Sequence, residues 1–375
     1  MFRELVFAFV ALGTTHAYAF MEDSFNKEFI DKRLWQTDDV RDPDNQIEFS
    51  KHSRCGPKSI RVTLHPGDPS NNCDEGKCER VEIRNHRDLR QSFFSEESEW
   101  YGFSFKVGGY TGFFKKIPRV VVGQWKQPYD DNPVLAQRYS DGFFRITTQD
   151  GPVRVTIASQ RLTPDDLQKV QSLFSQLDRT NKSHVATLTS ITEASRLRKK
   201  VHTLDTDNKN LFNSETEKFL ADAVRQLDLE IPTVMLKDDN SIDWDLIGEI
   251  DGYEDLTEYF GTSNIDFSGT EKLPDPAKKW VDMTYRILPG RSDYDDVNGP
   301  SRSGEFEIWA NGKQIVTAKG DFGYPGEVGK KPDNPTVYFK FGVYRDPYFA
   351  KTYMRFDDYK HGQSRSSVQP DCPPF

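Results

Sequence analysis

Gly304-Glu305-Phe306-Glu307-Ile308-Trp309, then Asn311-Gly312, then Lys313-Gln314-Ile315-Val316, is the stretch whose reading decides the fold. Apolar and charged residues alternate on both sides of the Asn-Gly pair, which is the pattern of strands with one face buried and the other wet. Asn-Gly between two such runs is a strong hairpin signal, because both residues tolerate the positive φ that a two-residue turn requires. Working outward, the same pattern precedes the hairpin in Val281-Asp282-Met283-Thr284-Tyr285-Arg286-Ile287. It fills the first part of the chain in Ser59–Leu64, Val81-Glu82-Ile83-Arg84, Trp100–Phe105 and Phe143–Thr147, all rich in aromatic and β-branched residues. An all-β sandwich is therefore expected.

Between about Thr163 and Gly269 the composition changes to helix formers with 3.6-residue spacing. Thr163-Pro164-Asp165-Asp166 opens a helix with Leu167, Val170, Phe174 and Leu177 on one face, and Ser214 opens another with Phe219, Leu220 and Val224 inside. The expected organisation is a sandwich in two parts, 20–162 and 271–375, interrupted by a mainly helical insertion over 163–270. That insertion is read as a structural cap, with a mobile lid over a cleft as the functional alternative.

Residues 1–19 hold Arg3, an apolar run from Leu5 to Leu12 and Ala17-Tyr18-Ala19, the layout of a secretory signal peptide cleaved before Phe20. A secreted or periplasmic chain is expected, and no later stretch approaches the ~20 continuous apolar residues of a membrane span. Cys55, Cys73, Cys78 and Cys372 form an even set, so disulfides are expected in one of three pairings. Zinc is not expected, since Cys73 and Cys78 have no second pair at ligand spacing. The net charge of -9 argues against nucleic acid and against globally steered anionic ligands, so an anionic ligand would need a local basic cleft.

Three segments place polar side chains on one strand face: Arg80, Glu82 and Arg84; Gln124 and Lys126; and Tyr338, Lys340 and Tyr344. Gly342, between Lys340 and Tyr344, leaves a slot where a ligand could approach the backbone. These residue types meet the needs of β-elimination at a uronic acid. The C5 proton becomes removable once the adjacent carboxylate is neutralised, and then a base must take that proton and an acid must protonate the departing O4. Tyrosine can do both when its pKa falls, and a lysine four residues along the same face is a means to lower it.

Arg80-x-Glu82-Ile83-Arg84, Trp100-Tyr101-Gly102-Phe103-Ser104, Gln124-Trp125-Lys126, Trp309-x-Asn311-Gly312-Lys313 and Tyr338-Phe339-Lys340-Phe341-Gly342-Val343-Tyr344-Arg345, in this order, resemble the heparin lyase I type of polysaccharide lyase. The resemblance covers both β parts and omits the insertion. It implies a concanavalin-like jelly roll whose concave face binds an anionic polysaccharide. It also implies Tyr344, Lys340, Gln124 and Lys126 as the catalytic set, and Arg80 or Arg84 as a substrate-binding arginine, joined by Glu82, Tyr338 and Arg345. Where that family has a histidine base, this chain has Lys126, which points away from heparin and toward a glucuronate-type substrate with Tyr344 in both proton roles. Lys126 is then a carboxylate-binding cation, with a neutral base as the alternative.

Other signals weigh less. Glu249-Ile250-Asp251-Gly252-Tyr253-Glu254 resembles the paired carboxylates of jelly-roll glycoside hydrolases but falls in the helical stretch without strict alternation. Asp205-x-Asp207-x-Lys209 hints at a calcium loop but has Asn210 and Thr216 where Gly and Glu belong. His86 reads as a surface histidine. No cofactor or catalytic metal is expected, a structural calcium is left open, and the protein is expected to be a monomer that binds neither nucleic acid nor membrane. A glycoside hydrolase and a non-catalytic carbohydrate-binding protein are the rival readings.

Overall fold

The computed structural model describes residues 21–68, 78–92, 95–109, 119–128, 133–140, 142–151, 153–175, 263–293, 301–324 and 336–373. The expected signal peptide, Cys73, Leu177, the helix expected from Ser214, the acidic run at 249–254 and the loop at 205–216 lie outside the described residues.

The strands in chain order are β1 Met21–Asp23, β2 Trp35–Gln36, β3 Ile47–Ser50, β4 Ser59–Leu64, β5 Glu79–Asn85, β6 Gln91–Ser92, β7 Glu99–Gly108, β8 Val120–Lys126 and β9 Pro133–Ser140. They continue as β10 Phe143–Asp150, β11 Val153–Ser159, β12 Asp266–Ser268, β13 Val281–Leu288, β14 Gly304–Ala310, β15 Lys313–Gly320, β16 Thr336–Arg345 and β17 Thr352–Gly362. Two helices accompany them, α1 Pro43–Gln46 and α2 Pro164–Ser175.

One sheet runs β12-β15-β14-β13-β7-β17-β4-β3 with β1 on β17, and the other runs β11-β10-β9-β8-β16-β5-β2 with β6 on β16. Strands consecutive in sequence, β4 and β5, β7 and β8, β16 and β17, lie in opposite sheets. Chain crossings between two antiparallel sheets make this a jelly-roll β-sandwich. The Asn311-Gly312 turn has both residues at positive φ, 50° and 78°, and joins β14 to β15 as the dipeptide requires.

The core lies between the sheets and is aromatic. Trp125 of β8 packs at 4.5 Å from Tyr285 of β13, and Phe341 of β16 packs at 4.5 Å from Phe356 of β17. At one end Trp35 meets Tyr359 at 4.6 Å, and its indole N–H donates to Asp23 at 2.9 Å, which satisfies the polar edge of a buried ring.

Helix α2 begins with a reciprocal cap, in which Asp166 N donates to Thr163 Oγ1 at 3.2 Å and Thr163 Oγ1 donates to Asp166 at 2.8 Å. Its Leu167 is buried in the core. Asp266–Ser268, expected at the end of the insertion, is an edge strand paired with β15, and Ile265 and Phe267 enter the core beside it. A short three-residue strand gives too little periodicity to be read from sequence.

Of the three cysteine pairings the structure holds Cys55–Cys372, and Cys78 is also disulfide-bonded. The Cys55–Cys372 bridge closes a loop of 317 residues and ties the segment after β17 to the connection between β3 and β4. Constraint of so long a loop in the unfolded chain stabilises by up to about 5 kcal/mol. Replacing Cys55 and Cys372 together by serine should lower the unfolding free energy by ~2–5 kcal/mol in denaturant titration without changing the fold.

Beside that bridge, Asp357 accepts backbone N–H groups from Arg54 at 2.6 Å, Cys55 at 2.9 Å and Asp358 at 2.9 Å. Burial outweighs these donors and pushes its carboxyl up to about 7. The folded chain therefore holds a proton that the unfolded chain releases near the ordinary carboxylate value of about 4. The associated stability is present below about pH 4 and is lost as pH rises through about 7. Thermal midpoints should accordingly fall from pH 5 to pH 8, and Asp357→Asn should flatten that slope.

Candidate active site

In the eight-stranded sheet, β16 lies between β5 and β8, so the three polar strand faces noted in the sequence are neighbours. Register pairs Lys340 with Arg84 and Gln124, Gly342 with Glu82, and Tyr344 with Arg80. Val81, Ile83, Trp125, Phe339, Phe341 and Val343 alternate with these residues and enter the core, so the polar set stands on the face turned away from the other sheet.

The centre of that face is the Glu82 carboxylate, which is 2% exposed. One oxygen accepts from Gln124 Nε2 at 2.5 Å, and the other lies 3.4 Å from Lys340 Nζ and 3.3 Å from Arg80 Nε. Lys340 also donates to Asp39 at 3.0 Å. Burial disfavours the Lys340 ammonium, but Glu82 and Asp39 outweigh it and hold the group above the ordinary lysine range. Arg80 behaves in the same way, with burial overcome by Glu82, Asp39 and Tyr344. Its guanidinium lies over the Tyr344 ring, 4.3 Å from the centroid. Tyr344 is half-buried and so is the member of the cluster that a ligand can reach.

Arg80, Glu82, Gln124, Lys340 and Tyr344 are thus brought together. Lys340, expected to act on Tyr344, is instead committed to Glu82 and Asp39, and the cation at Tyr344 is Arg80. Four residues of strand separate the two by about 13 Å, whereas Arg80 is the direct cross-strand neighbour. Tyr338 lies farther along the strand under Arg90 at 4.9 Å and Arg84 at 5.9 Å, and Arg84 is ion-paired to Asp38. Lys126 is the register partner of Tyr338, six residues of strand, or about 20 Å, from Tyr344.

Two further expectations are corrected. Arg345 is not presented to a ligand: it is 1% exposed and its guanidinium is held by Glu79 at 2.7 Å, Ala350 O at 2.6 Å, Tyr348 O and Thr352. The space above Gly342 is not a ligand slot either. A Cβ there would meet Val81 O at 2.2 Å and Glu82 Cα at 2.8 Å, so the glycine lets β5 approach closely.

Sequence reading missed Asp39, which lies outside the strands, and Arg138, Arg145 and Arg154 on β9, β10 and β11. Those three arginines alternate with the core residues Tyr139, Phe144, Ile146 and Val155, and Arg138 and Arg145 are cross-strand partners. Period-2 alternation in Phe143–Thr147 carried that signal. His86 caps a short turn at the surface, its Nδ1 accepting from Asp88 N at 3.5 Å. Among the described residues no group of three or more His, Cys, Asp or Glu is placed to hold a metal ion, and no helix is long and apolar enough to cross a membrane.

No protein-family model matches the sequence, and no curated protein matches it. Among solved structures, the chain is similar to an endo-β-1,4-glucuronan lyase from the fungus Trichoderma reesei, with 11% identity, a TM-score of 0.42, and coverage of 95% of this chain and 100% of that one. It is also similar to the family 7 polysaccharide lyase AlgAT5, an alginate lyase, at 10% identity and a TM-score of 0.39, covering 88% and 95%. Alginate lyase A1-II', of the same lyase family, shows 12% identity and a TM-score of 0.38, again covering 88% and 95%.

The close approach at Gly342 makes it the strictest position of the site, since its φ is 146° and a side chain has no room. Gly342→Ala should destabilise by ~2 kcal/mol or more in denaturant titration, without any ligand present.

Proposed function

We propose that this chain is an exported polysaccharide lyase that cleaves a uronic-acid polymer of glucuronate type by β-elimination, with Tyr344 as both base and acid. The observation that carries the reading is the half-buried Tyr344 ring capped by the Arg80 guanidinium at 4.3 Å, beside Gln124 and Lys340 gathered on Glu82. Arg80, over the Tyr344 ring, stands where a uronate carboxylate next to that ring would bind. The two N–H groups of the Gln124 amide allow one to hold Glu82 while the other faces a ligand.

In the proposed reaction the Tyr344 phenolate takes the C5 proton while Arg80 and Gln124 stabilise the charge that develops on the carboxylate. The electron pair forms the C4–C5 double bond, the C4–O4 bond breaks, and O4 takes the proton from the Tyr344 hydroxyl. An unsaturated sugar remains at the new non-reducing end. Lys126, about 20 Å along the ladder from Tyr344, meets a different sugar unit and serves to bind its carboxylate. Glycoside hydrolysis fits less well, because the face's carboxylates Glu82 and Asp39 are both held by the Lys340 ammonium. The signal-peptide layout and the disulfide Cys55–Cys372 support export.

Tyr344→Phe should keep the fold and polymer binding while losing at least ~10²-fold in turnover, since the ring stays under Arg80 and the proton carrier is gone. Activity within a few-fold of the parent chain would remove Tyr344 from the mechanism. Lys126→Arg should keep appreciable activity, because a guanidinium binds a carboxylate but stays protonated and cannot act as base. A folded but inactive Lys126→Arg would make Lys126 the proton-abstracting residue.

A further inference from the structure

The opposite face of the sandwich, the outer side of the nine-stranded sheet, carries a second concentration of cations and aromatic rings. Register places Arg355 of β17 directly between Lys106 of β7 and Arg61 of β4. Their flanking residues Phe105, Val107, Met354, Phe356, Ile60 and Val62 are core residues, so all three cations point outward. Like charges directly opposite on neighbouring strands destabilise a sheet, so a row of three in a chain of net charge -9 calls for a compensating anion. Arg61 has one in Glu48. Among the described residues neither Lys106 nor Arg355 has a carboxylate within ion-pair distance.

Both cations line an open cavity of about 500 Å³ whose wall also holds Trp280, Tyr353, His52 and Gly108, and among the described residues none of its lining is an aspartate or glutamate. The Arg355 and Arg61 guanidinium groups lie over the Tyr353 ring, 4.7 Å and 5.4 Å from its centroid. The ring lies against Gly108, where a Cβ would come within 2.2 Å of it. The glycine therefore lets the ring lie down as a platform. Aromatic faces accept the apolar C–H face of a sugar ring, and adjacent lysine and arginine accept its acidic group. A volume in this range suits a ligand of one or a few sugar units.

We propose that this cavity is a second, non-catalytic binding site for an anionic saccharide. Trp280 provides the stacking surface, Tyr353 carries the Arg355 guanidinium, and Lys106 and Arg355 bind a carboxylate. The uronate identity of the ligand rests on the function proposed above; the site itself rests on the cation row and the cavity. Lying on the far side of the sandwich from Tyr344, it anchors the protein to one part of a polymer while the other face works on another, which raises the local concentration of polymer at the active face.

The test is calorimetric titration of the full chain and of a Lys106→Ala/Arg355→Ala variant with glucuronate hexasaccharide, with neutral cellohexaose as control. The parent chain should bind the acidic hexasaccharide at two classes of site. The variant should lose one of them, with at least ~10-fold weaker binding there, and retain its turnover of short oligosaccharides. Cellohexaose should bind at least ~10-fold more weakly than the acidic probe at that site. An unchanged isotherm in the folded variant, or equal binding of the neutral probe, would overturn the site whatever the turnover shows. Loss of one class of binding in the variant, in a protein that cleaves no uronate polymer, would uphold the site and refute the proposed lyase function instead.

Discussion

A single buried carboxylate organises the candidate active face. Glu82 sits on the middle of β5 with almost no contact with water, and a charge in that position is tolerated only when it is paired and hydrogen-bonded. Its partners come from three adjacent strands: Arg80 from its own, Lys340 from β16 and Gln124 from β8. Because each partner is fixed by Glu82, each is also fixed relative to the others. The Arg80 guanidinium, drawn toward Glu82, is thereby held over Tyr344. The absence of a side chain at Gly342 permits the close strand approach on which the whole arrangement rests.

Charge is distributed unevenly over the sandwich. The chain is acidic as a whole, yet the strands from β5 to β11 place Arg80, Arg84, Lys340, Lys126, Arg138, Arg145 and Arg154 on one face. Such a band answers the requirement, set by the net charge of -9, that any anionic ligand find a local basic cleft. The outer side of the other sheet repeats the device on a smaller scale around Tyr353, with the acidic residues nearby engaged elsewhere: Asp282 with Arg54, and Asp357 with backbone N–H groups.

The strands were readable because alternation is a local property. Ser59–Leu64 and the Asn311-Gly312 hairpin appear as read, and the faces bearing Arg80, Gln124 and Tyr344 do meet. What alternation cannot show is the register between strands far apart in sequence. It placed Lys340 and Tyr344 on one face, which is correct, but the residue that touches Tyr344 comes from β5, more than two hundred positions away. The same limit hid Asp39, which reaches Lys340 from outside the strands. Arg345 misled for a related reason: a charged residue at a strand end reads as exposed, and only the fold reveals Glu79 and the carbonyls of the following turn around it. Cysteine pairing, likewise, is a matter of distance in space, and Cys55 and Cys372 come within 5.4 Å Cα to Cα only after the sandwich closes.

The central claim is that the Tyr344 face eliminates rather than hydrolyses. The direct measurement is to incubate the protein with glucuronan and follow both the new reducing ends and the ultraviolet absorbance of a 4,5-unsaturated uronate in the same sample. The account predicts that every new reducing end is matched by an unsaturated sugar. New reducing ends without that absorbance would contradict it and identify a hydrolase on the same fold.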